Sequence, residues 1–290
     1  MLQEIEDRVY LVPGRNRGQF PFCNSLYIKD ETRVLIDAGA GQEILQEVKE
    51  EGVDLLVFTH FHRDHVSFAP IFSGTPKAAH FLDAPPLESL NAFFEYTGLN
   101  QNSNFMKENK WLFKVLRPEP VQWLLKNGEV IDCGRTHLKL MHTPGHTPGH
   151  SSFLINDKLF FAADIDLTSF GPWYGNVSSS LEDFIHSINL VKSLNPSRIL
   201  TSHMGMIEKN IPGRLESYLD IIEGRERAIL ERLKKGPHRL EDLTGKRLIY
   251  PNYRNDEARY RFERIMLYKH LEKLIKTGRA TKQEGYYKIN

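Results

Sequence analysis

The chain has 290 residues, of which 40% are hydrophobic and 26% charged, and its formal net charge is +1. This is the composition of a globular protein with enough length for two domains, and the near-zero charge excludes a uniformly basic or acidic chain. The two cysteines, Cys23 and Cys133, lie far apart and in no metal-binding spacing, so we expect no disulfide.

Charge is distributed unevenly along the chain. Residues 213–290 hold 19 Lys and Arg against 12 Asp and Glu, which leaves 19 against 25 in the remainder. A basic tail on an acidic body suggests a tail that meets anions. The first residues, Met1–Glu6, have neither a basic nor an apolar leader region. We therefore expect no signal peptide, no transmembrane helix and a cytoplasmic protein.

The first part of the chain alternates strand-like runs with turns. Val9–Val12, Leu26–Ile28 and Arg33–Ile36 predict β-strands, and the last of these enters a glycine-rich turn, Asp37–Gly41. Neither glycine pattern of a nucleotide-binding loop is present, so we reject a nucleotide site. Asp37 could stabilise the turn or point toward the cluster described next, and both interpretations stay open.

Three histidines and an aspartate fall within six residues after the predicted buried strand Val53–Phe58. His60 and His62 can point the same way if the chain stays extended, because strand side chains alternate between faces. Asp64 and His65 are neighbours and must point in different directions. Imidazole and carboxylate are ligands that zinc prefers, so the cluster predicts two metal positions rather than one. A polar surface loop is the alternative interpretation.

Residues 81–123 form an aromatic-rich segment, predicted to be helical over Leu87–Tyr96 and broken at Gly98. It is either an ordinary helical excursion packed on the body, or a lid or wall that accepts an apolar part of a substrate. Its aromatic residues are Phe93, Phe94, Tyr96, Phe105, Trp111, Phe113 and Trp123.

A loop with two Pro-Gly pairs follows the strands predicted within Gly128–Leu140. It carries His142, His146 and His150, and its turns restrict all three side chains. Not all three can be ligands. His142 follows a strand and His150 precedes one, so each is expected to be structural or to lie behind the ligands.

Two further predicted strands end in ligand-type residues. Leu159–Ala163 is followed by Asp164, and Arg198–Ser202 is followed by His203. The second repeats the order of apolar strand, threonine and histidine seen before His60.

The C-terminal region reads as charged helices and a hairpin. Helices are predicted over Leu215–Lys235, His238–Thr244 and Asp256–Lys276, and a hairpin over Arg279–Gln283 and Tyr286–Ile289. This is the element order of a winged helix. A Pro-Gly pair and the change in composition near Ile211–Gly213 predict two domains, 1–213 and 214–290.

Lys269, Lys273 and Lys276 lie opposite the leucines of the long helix and should be exposed together. They could contact nucleic acid or could simply form a solvated helix face. Aromatic side chains, which single strands stack on, are not interleaved with them.

Taken together, these motifs resemble the metallo-β-lactamase superfamily over about residues 1–210. They are H-x-H-x-D-H at His60–His65, the Gly-Pro loop with His146, Asp164, His203, Asn24 and the strand Leu35–Gly39. The resemblance implies an α/β fold, a four-layer αββα sandwich of two mixed sheets. The C-terminal part resembles the small α+β winged-helix extension of the branch that includes lactamase-like endoribonucleases, although not the glutathione-binding region of glyoxalase II.

The resemblance also implies a ligand set of seven residues. His60, His62 and His146 would hold one metal, Asp64, His65 and His203 a second, and Asp164 would bridge the two. Two zinc ions per chain are expected, with iron or manganese as alternatives. They would share a hydroxide that attacks an acyl carbon or phosphorus, and Asp64 could orient it.

The motif predicts the metal ligands but does not identify the substrate. A small thioester, ester or lactone is the first hypothesis, with Trp173 and Tyr174 expected to wall the pocket. An endoribonuclease or other phosphodiesterase that uses the basic winged helix is the alternative. A non-enzymatic binding module is disfavoured because no expected ligand is missing. The extension could also form a homodimer or cover the site, and no membrane partner is expected.

Overall fold

Two β-sheets, each covered by helices on its outer face, form the body of the protein. The computed structural model describes residues 1–99, 117–251 and 256–290. The first sheet follows the order of the chain, antiparallel from β1 to β4 and parallel from β4 to β7. Its strands are β1 (Gln3–Glu6), β2 (Val9–Val12), β3 (Ser25–Ile28), β4 (Val34–Ile36), β5 (Leu55–Phe58), β6 (Lys77–His80) and β7 (Trp123–Leu125).

The second sheet has the order β13-β12-β11-β10-β9-β8. Neighbours β11 and β12 run parallel, and the other pairs run antiparallel. Its strands are β8 (Val130–Asp132), β9 (His137–His142), β10 (Ser151–Ile155), β11 (Leu159–Ala163), β12 (Arg198–Thr201) and β13 (Gly205–Ile207). A separate hairpin pairs β14 (Ala280–Gln283) with β15 (Tyr286–Ile289).

Eight α-helices lie within the described residues, with short 3-10 turns at Arg15–Gly18 and Ala69–Phe72. They are α1 (Gln42–Glu51), α2 (Arg63–Val66), α3 (Ala84–Glu88), α4 (Leu90–Thr97), α5 (Leu181–Leu194), α6 (Ile211–Leu233), α7 (Leu240–Thr244) and α8 (Glu257–Lys276). Of these helices, none has both the length and the apolarity needed to cross a membrane.

The predicted helix Leu87–Tyr96 is two helices, because Ser89 is extended and its side chain caps α4. The helix ends as predicted at Gly98, which has a left-handed φ of 64°. Phe105, Trp111 and Phe113 of the predicted aromatic segment lie outside the described residues.

Three apolar clusters explain the layering. Buried side chains such as Val57 and Phe153 fill the space between the two sheets. A second cluster packs α1 and α4 on the first sheet, and a third packs α5 and α6 on the second. Each helix or sheet face buries its apolar side against a neighbouring layer. The predicted αββα arrangement is confirmed.

The C-terminal elements occur in the predicted order of helix, short helix, long helix and hairpin. Glu284 and Gly285 both have positive φ, 50° and 82°, which suits a tight two-residue hairpin turn. The first helix begins four residues before its predicted start, because Pro212 is favourable in a first helical turn. The predicted boundary at 213/214 therefore falls inside α6.

One apolar cluster joins this region to the body. Ile222 and Leu267 belong to the same cluster as Phe184 and Ile188 of α5. The winged-helix fold and the domain boundary at 213/214 remain predictions. Because residues on both sides of this boundary share one apolar cluster, the boundary calls for an experimental test.

Candidate metal centre

The residues of the predicted site meet at one edge of the sandwich, where several strands end. His60 follows β5, Asp164 follows β11 and His203 follows β12, while His146 lies in the loop between β9 and β10. Short helix α2, which contains Asp64 and His65, completes the group. Side chains at such strand ends project from a rigid support, so their positions depend little on loop motion.

The first group contains three imidazoles and a carboxylate. One ligand-type atom from each of His60, His62, His146 and Asp164 lies within 4.8 Å of the others. Nε2 of His146 is 2.8 Å from Nδ1 of His62 and 3.2 Å from a carboxylate oxygen of Asp164. Nitrogens and an oxygen converging in this way form a donor set that suits zinc and similar divalent metals.

The second group contains Asp64, His65 and His203, again within 4.8 Å. Asp164, a member of the first group, also contacts the second, with one carboxylate oxygen 3.1 Å from Nε2 of His65 and the other 3.5 Å from Nε2 of His203. Nε2 of His203 is also 3.4 Å from Asp64. The structure thus brings all seven residues of the predicted ligand set together.

The ring nitrogen that faces away from the centre has a partner in each of the five histidines, an arrangement that fixes ring orientation at metal sites. The contacts are His60 with Thr59 Oγ1 at 3.0 Å, His62 with the side-chain amide of Asn176 at 2.6 Å, His65 with the Asp37 carboxylate at 2.8 Å, His146 with the Trp173 backbone carbonyl at 2.8 Å and His203 with the Gly18 backbone carbonyl at 2.6 Å. Asp37 therefore points toward the cluster, one of the two roles foreseen for it, and it also accepts hydrogen bonds from the Thr59 amide and hydroxyl just after β5.

Buried polar atoms inside the centre test whether a metal fits. Within the described residues, Nε2 of His60, Nε2 of His65 and one oxygen of Asp164 have no hydrogen-bond partner. Such groups are costly to bury unless something pairs with them. Because all three point into the space shared by the two groups, a divalent metal fits this donor set.

The histidines of the centre differ in the direction in which their surroundings shift the pKa. Burial, followed by neighbouring imidazoles, lowers the pKa of His60 and His62 well below the usual range. These rings are neutral at pH 7, the form that binds metal. Burial would also lower the pKa of His203, but Asp164 outweighs it and raises that pKa to about 10. Metal binding at His203 must therefore displace a proton.

Asp83, which the sequence patterns did not reveal, joins the two histidine loops. Its carboxylate accepts hydrogen bonds from the Phe61 amide at 3.2 Å and from Thr147 Oγ1 and the Gly149 amide at 2.6 Å. Burial raises its pKa to about 6. Asn176 was missed too, because a loop residue that meets His62 across 114 positions leaves no local pattern.

The other two loop histidines lie outside the ligand groups, in agreement with their predicted roles. His150 is fully buried, and its Nε2 accepts a hydrogen bond from the Asp164 amide at 3.1 Å. His142 stacks on His80 and donates to the Pro148 carbonyl. Asn24 supports the loop before His203 by donating to the Thr201 carbonyl.

Cys23 lies unexpectedly close to the centre. Its sulfur is within 4.8 Å of ligand-type atoms of Asp37 and His65. Burial raises the pKa of the thiol to about 11, so it is protonated at neutral pH. Both cysteines are free, as expected.

The two predicted substrate contacts differ. Trp173 is partly exposed, and its ring centre is 5.5 Å from those of both His62 and His146. Tyr174 is fully buried and faces away, with its hydroxyl 2.7 Å from Nε2 of His270 on α8. The expectation that Tyr174 walls the pocket is wrong, because its side chain is buried against α8 instead of lining the space beside His62 and His146.

The three lysines expected to form one exposed basic face have partners within the chain. Lys269 donates to the Ser179 carbonyl at 2.6 Å, Lys273 pairs with Glu226, and Lys276 pairs with Glu182 at 2.6 Å. Lys269 and Lys273 are only partly exposed. The expected common exposure is therefore wrong, because α8 packs this face against the body.

Comparisons with known proteins agree with the fold. A family model described as the metallo-beta-lactamase superfamily matches residues 18–203. A metallo-beta-lactamase family protein from Thermus thermophilus has a solved structure with a TM-score of 0.75 and 21% identity, covering 99% of this chain and 100% of that one.

Two curated relatives carry names that refer to hydrolysis. An atrochrysone carboxyl ACP thioesterase of Aspergillus fumigatus is 25% identical over 237 residues, 78% of this chain and 65% of that protein. A hydroxyacylglutathione hydrolase of Haemophilus influenzae is 26% identical over 155 residues, 49% of this chain and 65% of that protein. Since the family model spans most of the chain and contains every residue of the two ligand groups, this chain belongs to the metallo-beta-lactamase superfamily.

Proposed function

We propose that the chain is a hydrolase that uses two divalent metal ions, and that its substrate is a small thioester, ester or lactone. Membership of the family, the histidine-rich site and relatives named as hydrolases support a metal-dependent hydrolase. The observation that carries the binuclear proposal is the position of Asp164, whose carboxylate lies 3.2 Å from His146 of one ligand group and 3.1 Å from His65 of the other. Zinc is the metal that the donor set favours, with iron and manganese as alternatives.

Most of the residues in the site would hold metal, and Asp64 would also orient a reactant. One position would be held by His60, His62 and His146, the other by Asp64, His65 and His203, with Asp164 common to both. Bound metals would lower the pKa of water and stabilise negative charge that develops on an attacked carbonyl. Asp64 would orient the attacking water, because one of its carboxylate oxygens faces the centre, 3.4 Å from Nε2 of His203.

The substrate proposal rests on the wall of the site. The partly exposed Trp173 lies beside two of the candidate ligands and offers an apolar face to an acyl group. The names of the two relatives, a thioesterase and a hydroxyacylglutathione hydrolase, also favour acyl substrates.

A hydrolysis screen tests both parts of the proposal. Metal-loaded protein should cleave thioesters, esters or lactones, and elemental analysis should find two metals per chain. Chelator should abolish the activity and added metal should restore it. Activity confined to phosphodiesters or RNA would overturn the substrate class, and a single metal after reconstitution would overturn the binuclear assignment.

The endoribonuclease alternative has less support, because Lys269, Lys273 and Lys276 each have a partner within the chain. We expect little RNA binding at physiological salt. Tight binding that weakens steeply with salt, and that is lost when all three lysines are changed to alanine, would favour the alternative.

A further inference from the structure

The connection from β11 to α5 contains a segment, residues 170–179, that has neither helix nor strand and yet touches two candidate ligands. Its Trp173 carbonyl accepts a hydrogen bond from His146 Nδ1 at 2.8 Å. Its Asn176 side chain lies 2.6 Å from His62 Nε2. Ser179 also donates to the His146 carbonyl at 2.8 Å. The shape of this segment therefore decides how both rings are held.

The segment is held from its other side by the C-terminal region. Arg225 of α6, 6% exposed, donates to the Pro172 carbonyl at 2.7 Å and to the Phe170 carbonyl at 2.6 Å. The same guanidinium donates to the Tyr174 hydroxyl at 3.0 Å. An irregular segment has no neighbouring strand to satisfy its carbonyls, so a fixed donor fork of this kind determines its path.

Two further side chains of the C-terminal region form hydrogen bonds with residues 170–179. Nε1 of Trp173 donates to the Tyr250 hydroxyl at 2.7 Å, and Lys269 donates to the carbonyls of Val177 and Ser179. Packing is also close, since a Cβ on Gly171 would come within 2.5 Å of Ile221 on α6. The segment is fixed on one side by the C-terminal helices and on the other by the candidate ligands.

We infer that Arg225 is a positioning residue for the metal position of His60, His62 and His146, and that it acts through residues 170–179. In this role the C-terminal region completes one of the two metal positions without supplying a ligand to it. The other position, at Asp64, His65 and His203, has its supports in Asp37 and Gly18 of the body and should be insensitive to Arg225. This inference rests on the proposed metal assignment.

Cadmium binding to the metal-free full chain, followed by cadmium NMR and chelator competition, tests the inference. The two positions should give separate resonances, because three imidazoles and a mixed set with a carboxylate differ as ligands. Arg225→Met should weaken the His60–His62–His146 position about tenfold or more, the scale seen when supports behind metal ligands are lost. The other resonance and its affinity should not change.

Further variants separate positioning from general damage. Arg225→Lys keeps the charge but not the fork and should behave like Arg225→Met. Tyr250→Phe removes a single hydroxyl, so it should fold even if the arginine variants do not, and should weaken the same position more mildly. Arg227→Met is the matched control, since Arg227 lies on the same helix but is exposed and pairs at the surface with Glu223.

The outcomes are distinct. Unchanged affinity at both positions in Arg225→Lys and Tyr250→Phe would overturn the inference, and so would equal weakening of both positions together with a lower thermal midpoint of the metal-free protein. Wild-type protein that binds no metal would instead overturn the proposed function, and this inference with it.

Discussion

The carboxylate of Asp37 accepts a hydrogen bond from Nδ1 of His65 at 2.8 Å, and both side chains are fully buried. Asp37 follows β4 and His65 lies on α2, so the contact joins two elements that the sequence separates by 28 residues. A carboxylate behind an imidazole fixes the ring and its tautomer, which leaves Nε2 directed into the centre.

Replacing Asp37 by alanine should weaken metal binding at the position of Asp64, His65 and His203 by about 10- to 100-fold, because His65 loses its support. Chelator competition measures the change. Asp132→Ala is the control, because Asp132 pairs with His137 at 3.3 Å on the exposed surface. Equal metal affinity in the Asp37→Ala and wild-type proteins would contradict the role given to Asp37.

Asp164→Ala should cost more metal than His150→Ala. The Asp164 carboxylate faces both ligand groups, so its loss should affect both metals. His150 accepts a hydrogen bond from the Asp164 backbone amide and packs its ring near those of His60 and His146, but it belongs to neither ligand group. Elemental analysis of both purified variants makes the comparison, and equal loss of metal in the two would show that His150 is more than a support.

Glu226 should stabilise the fold in a pH-dependent way. Burial would raise its pKa, but the nearby His270 imidazole and the ion pair with Lys273 outweigh burial and lower the pKa to about 2. Since the folded-state pKa lies below the unfolded value, this stabilisation is present above about pH 4.5 and is lost as pH falls toward 2. Glu226→Gln should therefore lower the free energy of unfolding by about 1–3 kcal/mol at pH 7 and by progressively less below pH 4.5.

Denaturant unfolding at about pH 7, 4.5 and 3 measures this difference in the free energy of unfolding. Glu231→Gln is the control, since Glu231 is exposed and pairs with Lys234 on the helix surface. A difference between Glu226→Gln and wild type that grows as pH falls would contradict the expected sign.

Truncation after Gly213 tests the predicted domain division. The shared apolar cluster leads us to expect that residues 1–213 alone expose the side chains that Ile222 and Leu267 cover, and so aggregate. Solubility, circular dichroism and metal content report the result. A soluble fragment that keeps its metal would instead support two independent domains, since all seven candidate ligands precede Gly213.

The ligand-type residues could be identified from the sequence, and the family resemblance that they carry implied the order of the layers. His60, His62, Asp64 and His65 are visible because they crowd into six residues after an apolar strand, and Asp164 and His203 because each follows a similar strand. Alternation and apolar runs also located most strands, since these patterns depend only on which residues a sheet must bury.

Tertiary structure alone decided which side chains support the ligands and where the C-terminal region packs. Asn176 with His62, Asp83 with Thr147 and Arg225 with Phe170 are contacts between residues 55 or more positions apart. The order of the chain could not reveal the direction of the Tyr174 side chain either. Nor could it reveal the partners of Lys269, because a helix face that looks solvated in the sequence becomes an interface once another element packs on it. Local patterns record burial and turn preferences, whereas such contacts depend on how distant elements pack.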